Sequence, residues 1–289
     1  MVALHRLSQP LRPALSRPPH NSIPSPEGQP APSPLLVPLH GWLLSSRLWE
    51  PLRRELEPRW RLWCPDLPGF GERPRPRGLQ PSLASYGRWL ADELERREPG
   101  RAVVLIGHSL GGSVALHAAP LLKGRLAGLV QVSAGGGVYQ PRPFAQVRRG
   151  GALFVRLRPG WLATLPGTQT IRSPLRADPR AARGLLACST NRGAVQQLPR
   201  LTSELAVPSL WIAGSRDSVM EARYVRHLAG YSRRHRVELI EGAGHLPMRQ
   251  MPRRLAELIE RWLQEELAVA SLPDQRVASP FSCRSANCA

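Results

Sequence analysis

The chain has 289 residues, of which 42% are hydrophobic, and carries a formal net charge of +19. That is enough apolar sequence for one large core, with or without an inserted subdomain. The charge invites a nucleic-acid reading, but the basic residues are almost all arginine and are spread along the chain with no accompanying motif, so specific nucleic-acid binding is set aside.

Residues 1–33 are rich in Pro, Ser and Arg and lack the apolar run of a secretory signal. Their composition cannot support a packed core, and a disordered extension is expected there. "PLLVPLHG" (34–41) is a buried strand closed by a glycine, "WEPLRRELEP" (49–58) a short helix, and "RWRLWCPD" (59–66) a second strand. In "SLASYGRWLADELERR" (82–97), Leu83, Tyr86, Leu90 and Leu94 share one helical face behind Ser82 as N-cap.

The segment from Ala102 to Leu122 is apolar enough in length to raise a membrane span. Gly107, Gly111 and Gly112, with His108 and Ser109 between the apolar runs, argue instead for strand, sharp turn and helix. "RLAGLVQVSAGGG" (125–137), "VPSLWIAGSRD" (207–217) and "RVELIEGAGH" (236–245) are further strands, and "RRLAELIERWL" (253–263) has apolar residues at helical spacing. The alternation specifies an α/β fold: a mainly parallel central sheet with helices on both faces. Expected boundaries are 34–134 and 205–268 for the two parts of the core, 135–204 for a small helical lid insertion, and 269–289 for a disordered tail. Cys64, Cys188, Cys283 and Cys288 show no metal or disulfide spacing, so reduced thiols and a cytoplasmic location are expected.

Gly107-His108-Ser109-Leu110-Gly111 is G-x-S-x-G in its proper context, a buried strand before and a helix after. A serine hydroxyl needs a base to become a nucleophile. His5 and His20 lie in the extension, His117 in a helix, and His227 and His235 flank a surface helix. His108 should point away from Ser109, and His40, before a turn glycine, reads as a structural hydrogen-bonder. His245, in the glycine-rich loop "EGAGHLP", is the expected base. Asp217 follows a strand at the same sheet edge and is the expected acid. Two competing readings are that Asp217 only caps the helix after it and that Asp66 is the acid, although Asp66 opens a turn-rich loop. The backbone N–H groups of Leu110 and Trp42 are the expected oxyanion donors. No metal or organic cofactor is expected.

"LHGW" (39–42), "DLPGFG" (66–71), "GHSLGG" (107–112), "GSRD" (214–217) and "GAGHLP" (242–247), in this order, resemble the α/β-hydrolase fold superfamily. The resemblance implies an eight-stranded sheet, an inserted lid and a triad of Ser109, His245 and Asp217. Residues 1–33 depart from it, because they do not read as the hairpin that usually precedes the "HG" strand. "LHGWLLSSRLWEPL" and "DLPGFG" look like the pimeloyl carrier-protein methyl ester esterases. The succinyl-hydroxycyclohexadiene-carboxylate synthases share the scaffold but carry arginine four residues after the nucleophile, where this chain has Ser113.

The expected function is therefore a serine hydrolase cleaving a small-molecule or carrier-protein-bound carboxylic ester. The alternatives are a lyase or synthase using the same groups for proton abstraction, and a non-catalytic binding protein on a hydrolase scaffold. From Arg142 to Arg200 there are eleven arginines against one acid, Asp178. This makes the lid a candidate surface for an acidic partner, with Arg148, Arg149, Arg156 and Arg158 as binding residues.

Overall fold

In a computed structural model of the chain, residues 33–135, 141–159 and 172–270 are described. The two expected disordered segments, 1–33 and 269–289, therefore lie almost wholly outside the described residues.

Five strands form one parallel sheet in sequence order. They are β1 (Leu35–Leu39), β2 (Val103–His108), β3 (Leu126–Val132), β4 (Ser209–Gly214) and β5 (His235–Ile240). The strands end in step: Leu39 pairs with Gly107, His108 with Val132, Val132 with Ile212, and Gly214 with Ile240. Residues 59–66 do not form the expected strand. They touch the edge of β1 through a single bridge, Leu36 to Leu62. Among the described residues the sheet thus has five strands and this bridge, fewer than the eight the resemblance implies.

The helices are α1 (Glu50–Leu56), α2 (Leu83–Arg97), α3 (Leu110–Ala118), α4 (Pro141–Leu157), α5 (Arg172–Arg176), α6 (Pro179–Ser189), α7 (Arg192–Ser203), α8 (Ala222–Ala229), α9 (Pro247–Gln250) and α10 (Pro252–Ala270). Successive strand side chains point to opposite faces, and both faces are covered, which is why the strands read as unbroken apolar runs. On one face Val37, Leu105, Leu129 and Trp211 pack with Tyr86 and Leu90 of α2, Val114 of α3 and Leu228 of α8. On the other, Leu36, Ile106, Val130 and Ile212 pack with Leu52 of α1 and with Leu255, Ile259 and Trp262 of α10. Ser82 caps α2 by accepting the Ser85 N–H at 3.2 Å. Helices α4 to α7 all lie between β3 and β4.

No helix among the described residues is long and apolar enough to cross a membrane. The stretch that raised that reading is divided by the turn at Ser109 into β2 and α3.

Candidate active site

The carboxyl ends of parallel strands leave a crevice in which an open α/β sheet places its ligands. The turn between β2 and α3 stands there. Ser109 has φ 52 and ψ −117, a left-handed conformation that costs a non-glycine residue and is kept where the surroundings enforce it. Its N–H donates to the Val132 carbonyl at 3.2 Å, and its carbonyl accepts from Gly112 at 3.0 Å. The flanking glycines are required by close approach. A Cβ on Gly107 would lie 2.4 Å from the Gly112 Cα, where α3 folds back on β2, and one on Gly111 would lie 2.4 Å from the Leu39 carbonyl oxygen.

His245 and Asp217 come from the loops after β5 and β4. The His245 Nδ1–H donates to Asp217 Oδ2 at 2.9 Å, with the Asp217 carboxylate fully buried and the His245 side chain 25% exposed. The other carboxylate oxygen accepts the N–H groups of Val219 and Met220, each at 2.9 Å. Asp217 does not cap α8, whose N-cap is Glu221; it holds the turn before that helix with one oxygen and meets His245 with the other. Burial pushes the Asp217 carboxyl up, but the hydrogen bonds and charge of His245 and the Met220 and Val219 amides outweigh it, leaving its pKa below the usual value. Asp66 is employed locally: it accepts from the Ser46 N–H at 2.6 Å and the Glu72 N–H at 2.8 Å.

Ser109 and His245 line one cavity of about 370 Å³, together with Trp42, Leu110, Leu186 and Val219. Its described lining carries no arginine, lysine or carboxylate, and the position of the synthases' arginine is Ser113, in the cavity wall. Leu110 is the first residue of α3, so its N–H has no partner within the helix. Trp42 lies in a turn closed by the Leu44 N–H on the Gly41 carbonyl at 3.2 Å, with Leu43 at φ 60. The Trp42 indole donates to the Ala182 carbonyl of α6 at 2.8 Å and so ties this turn to the helices between β3 and β4.

Of the four basic residues singled out on that segment, Arg148, Arg149 and Arg156 are exposed on α4, with Arg148 also donating to the Thr190 carbonyl at 3.3 Å. Arg158 is not free. Its guanidinium donates to the carbonyls of Pro174 and Ala177, and burial lowers its pKa.

Two histidines are built in as neutral groups. His40 donates from Nδ1 to the Gly41 carbonyl and accepts the Leu67 N–H at Nε2, both at 2.9 Å, so protonation would break the second bond. Its pKa is lowered by burial. His108 is fully buried, its Nε2–H donates to the His245 carbonyl at 2.8 Å, and its ring centre lies 4.9 Å from that of His245. Burial first, and then the neighbouring His245, push its pKa down to about 3; His40 acts in the same direction and Asp217 opposes. Sequence reasoning passed over His108 because strand alternation turns it away from Ser109. Nothing in the sequence signals the contact with His245, 137 positions away.

A group held neutral in the fold and free to protonate when unfolded stabilises the fold above its unfolded pKa. That stability drains as pH falls toward the folded pKa. Stability should therefore decline from the ordinary histidine value of 6.5 toward 3. At about pH 5, His108 alone should account for a loss of roughly 2 kcal/mol. Urea unfolding at neutral pH and at about pH 5 measures this. His108→Gln should flatten the decline, and an unchanged pH dependence in that variant would refute the attribution.

A parallel sheet wrapped by helices, with a strained serine at a strand–helix turn and a histidine–carboxylate pair at the same edge, is the layout of an α/β hydrolase. A sequence model of the alpha/beta hydrolase family matches residues 35–258, and the chain belongs to that family. It is 32% identical to the pimeloyl-[acyl-carrier protein] methyl ester esterase of Xanthomonas axonopodis pv. citri, over 83% of this chain and 96% of the relative. Among solved structures, the thermophilic esterase of Thermogutta terrifontis superposes with a TM-score of 0.67 at 26% identity, covering 82% of this chain and 91% of the esterase. MenH from S. aureus shares the fold, with a TM-score of 0.65 at 21% identity over 81% and 94% of the two chains.

Proposed function

We propose that the protein is a cytoplasmic serine esterase in which Ser109 attacks the ester carbonyl, His245 takes and returns the proton, and Asp217 orients and stabilises the imidazolium. The observation that carries this is the hydrogen-bonded His245–Asp217 pair set in the same cavity edge as the strained Ser109. In acylation the serine oxygen bonds to the carbonyl carbon, the oxyanion is received by the N–H groups of Leu110 and Trp42, and His245 protonates the departing alcohol. Water deprotonated by His245 then releases the acid and restores Ser109. Labelling with a fluorophosphonate, followed by a panel of short and long acyl esters, tests the proposal; failure to label and to turn over any ester would overturn it.

The cavity favours an uncharged acyl or alcohol portion next to the serine, because burying an unpaired charge against this apolar lining would be costly. That counts against the synthase alternative, whose scaffold places an arginine where Ser113 stands.

The partner side of the proposal concerns the helices between β3 and β4 as a lid. Arg148, Arg149 and Arg156 are exposed on α4, which also exposes Leu153 at 55% and Leu157 at 67%. A basic helix with uncovered apolar residues suits an acidic protein partner, and the Xanthomonas relative is named for an ester carried on an acyl-carrier protein. The substrate proposed is thus an ester borne by an acidic carrier protein. For such a substrate kcat/KM should fall steeply with ionic strength while kcat holds, because steering is screened within a Debye length of about 8–10 Å. Changing Arg148, Arg149 and Arg156 to glutamate should reproduce that fall at low salt and leave small neutral esters unaffected. Equal rates for the reversed and parent proteins on the carrier-borne ester would remove the lid from the binding surface.

A further inference from the structure

His108 is a buried titratable group that the chemistry above leaves without a task, and it touches the backbone of His245. It immediately precedes Ser109, yet its ring turns away toward the loop that carries His245. A main-chain carbonyl only accepts, so the 2.8 Å contact to the His245 oxygen places a proton on His108 Nε2 and leaves Nδ1 bare. Nδ1 is buried and has no hydrogen-bond partner. It faces Gly41, where a Cβ would come within 2.8 Å of it, and the edge of Trp49 packs against the ring at 6.4 Å between centres. The ring is thus wedged between the turn holding Trp42, the Ser109 elbow and the His245 loop. Only one of its polar atoms is used, and that atom holds the backbone of the expected base.

We propose that His108 is a positioning residue: its Nε2–H fixes the main-chain carbonyl of His245 and thereby sets where the imidazole stands between Asp217 and Ser109. The proposal rests on the serine esterase reading. Side-chain bonding of His245 to Asp217 constrains one end of the imidazole, while the backbone it hangs from lies in a loop containing Gly242 and Gly244. That loop is held at Gly242 by Ser215, at Ala243 by Arg216 and at Gly244 by Gln250. The His108 contact acts as a tether on residue 245 itself, where a displacement of about 1 Å can cost up to roughly 100-fold in rate. The tether also explains the neutral state. A second proton on His108 would have no acceptor at Nδ1 and would place a fixed positive charge beside His245, where the imidazolium must form during acyl transfer.

The test compares His108→Gln with His108→Met, which are nearly isosteric; only glutamine offers an N–H. Turnover of a small neutral ester, thermal midpoints and the downfield proton resonance of the His245 Nδ1–H are measured in both. Methionine should lower kcat by about 10- to 100-fold with KM changed no more than about twofold, and should shift or broaden the resonance. Glutamine should restore most of kcat and the parent resonance at a similar midpoint. Should His108→Met not fold, His108→Phe serves as the variant without a donor. Equal kcat for the donor and non-donor variants, whether high or low, overturns the positioning role. Asp217→Asn should abolish the resonance. If the parent protein shows none and Ser109→Ala keeps full turnover, the esterase reading falls and the positioning role with it. If the parent behaves as expected and methionine matches glutamine, the positioning role falls alone.

Discussion

Ser109→Ala is expected to abolish fluorophosphonate labelling and to lower ester turnover by about 10⁴-fold or more, while moving the thermal midpoint little. The hydroxyl faces a cavity and is not part of the packed core, so its removal creates no buried void. The backbone strain at φ 52 is a property of the turn and persists with alanine. Because nucleophile and base act as one unit, Ser109→Ala and the double variant Ser109→Ala/His245→Ala should share the same residual rate. The rate that remains is what the oxyanion donors and the cavity supply without a covalent step. Labelling of the Ser109→Ala protein, or a further large drop in the double variant, would show that the attacking group lies elsewhere.

Asp217→Asn is expected to lower kcat by about 10⁴-fold, through the tautomer of the histidine. The carboxylate accepts from His245 Nδ1, which in the proposed mechanism leaves Nε2 to take the serine proton. An amide whose nitrogen faces Nδ1 would donate to it and drive the ring proton to Nε2, so the base would be blocked. The variant should also lose some stability, since the neutral amide oxygen left on the Val219 and Met220 N–H groups accepts them more weakly than the carboxylate does. Asp66→Asn is the control. Asp66 also holds two backbone amides, those of Ser46 and Glu72, and acts on His40 through its charge rather than on His245. It should lose stability with kcat changed by less than about tenfold. Unfolding curves and steady-state rates on both variants separate the two effects, and a rate loss confined to Asp66→Asn would transfer the acid's role to it.

Much of the scaffold was legible because its signals are local. The β2 to α3 stretch declares a strand by its β-branched run, a turn by Gly107 and Gly111, and a helix by its Ala and Leu content, and the structure has all three. The apolar spacing in 253–263 likewise becomes the buried side of α10. Residues 59–66 misled for a physical reason. "RWRLWC" alternates as an edge strand would, but its pairing with β1 stops at one bridge, in which the Arg61 carbonyl and the Trp63 N–H both bond Leu36, and a strand exists only where a neighbour completes its ladder. The sequence could also count arginines between β3 and β4. It could not distinguish Arg158, bonded to two carbonyls, from Arg148, Arg149 and Arg156, which are exposed.

The sequence by itself determined the parallel α/β layout, the elbow at Ser109 and the candidates His245 and Asp217, because periodicity, glycine placement and motif order are written within short windows. Tertiary structure decided what those windows cannot contain. It joined His245 to Asp217 across 28 positions, divided the two oxygens of Asp217 between a turn and an imidazole, and hung Trp42 on the carbonyl of Ala182, 140 positions away. It also set the His108 ring against the main-chain carbonyl of His245, 137 positions away. Such contacts depend on where separate loops meet above the sheet, and that is fixed by the packing of the whole core.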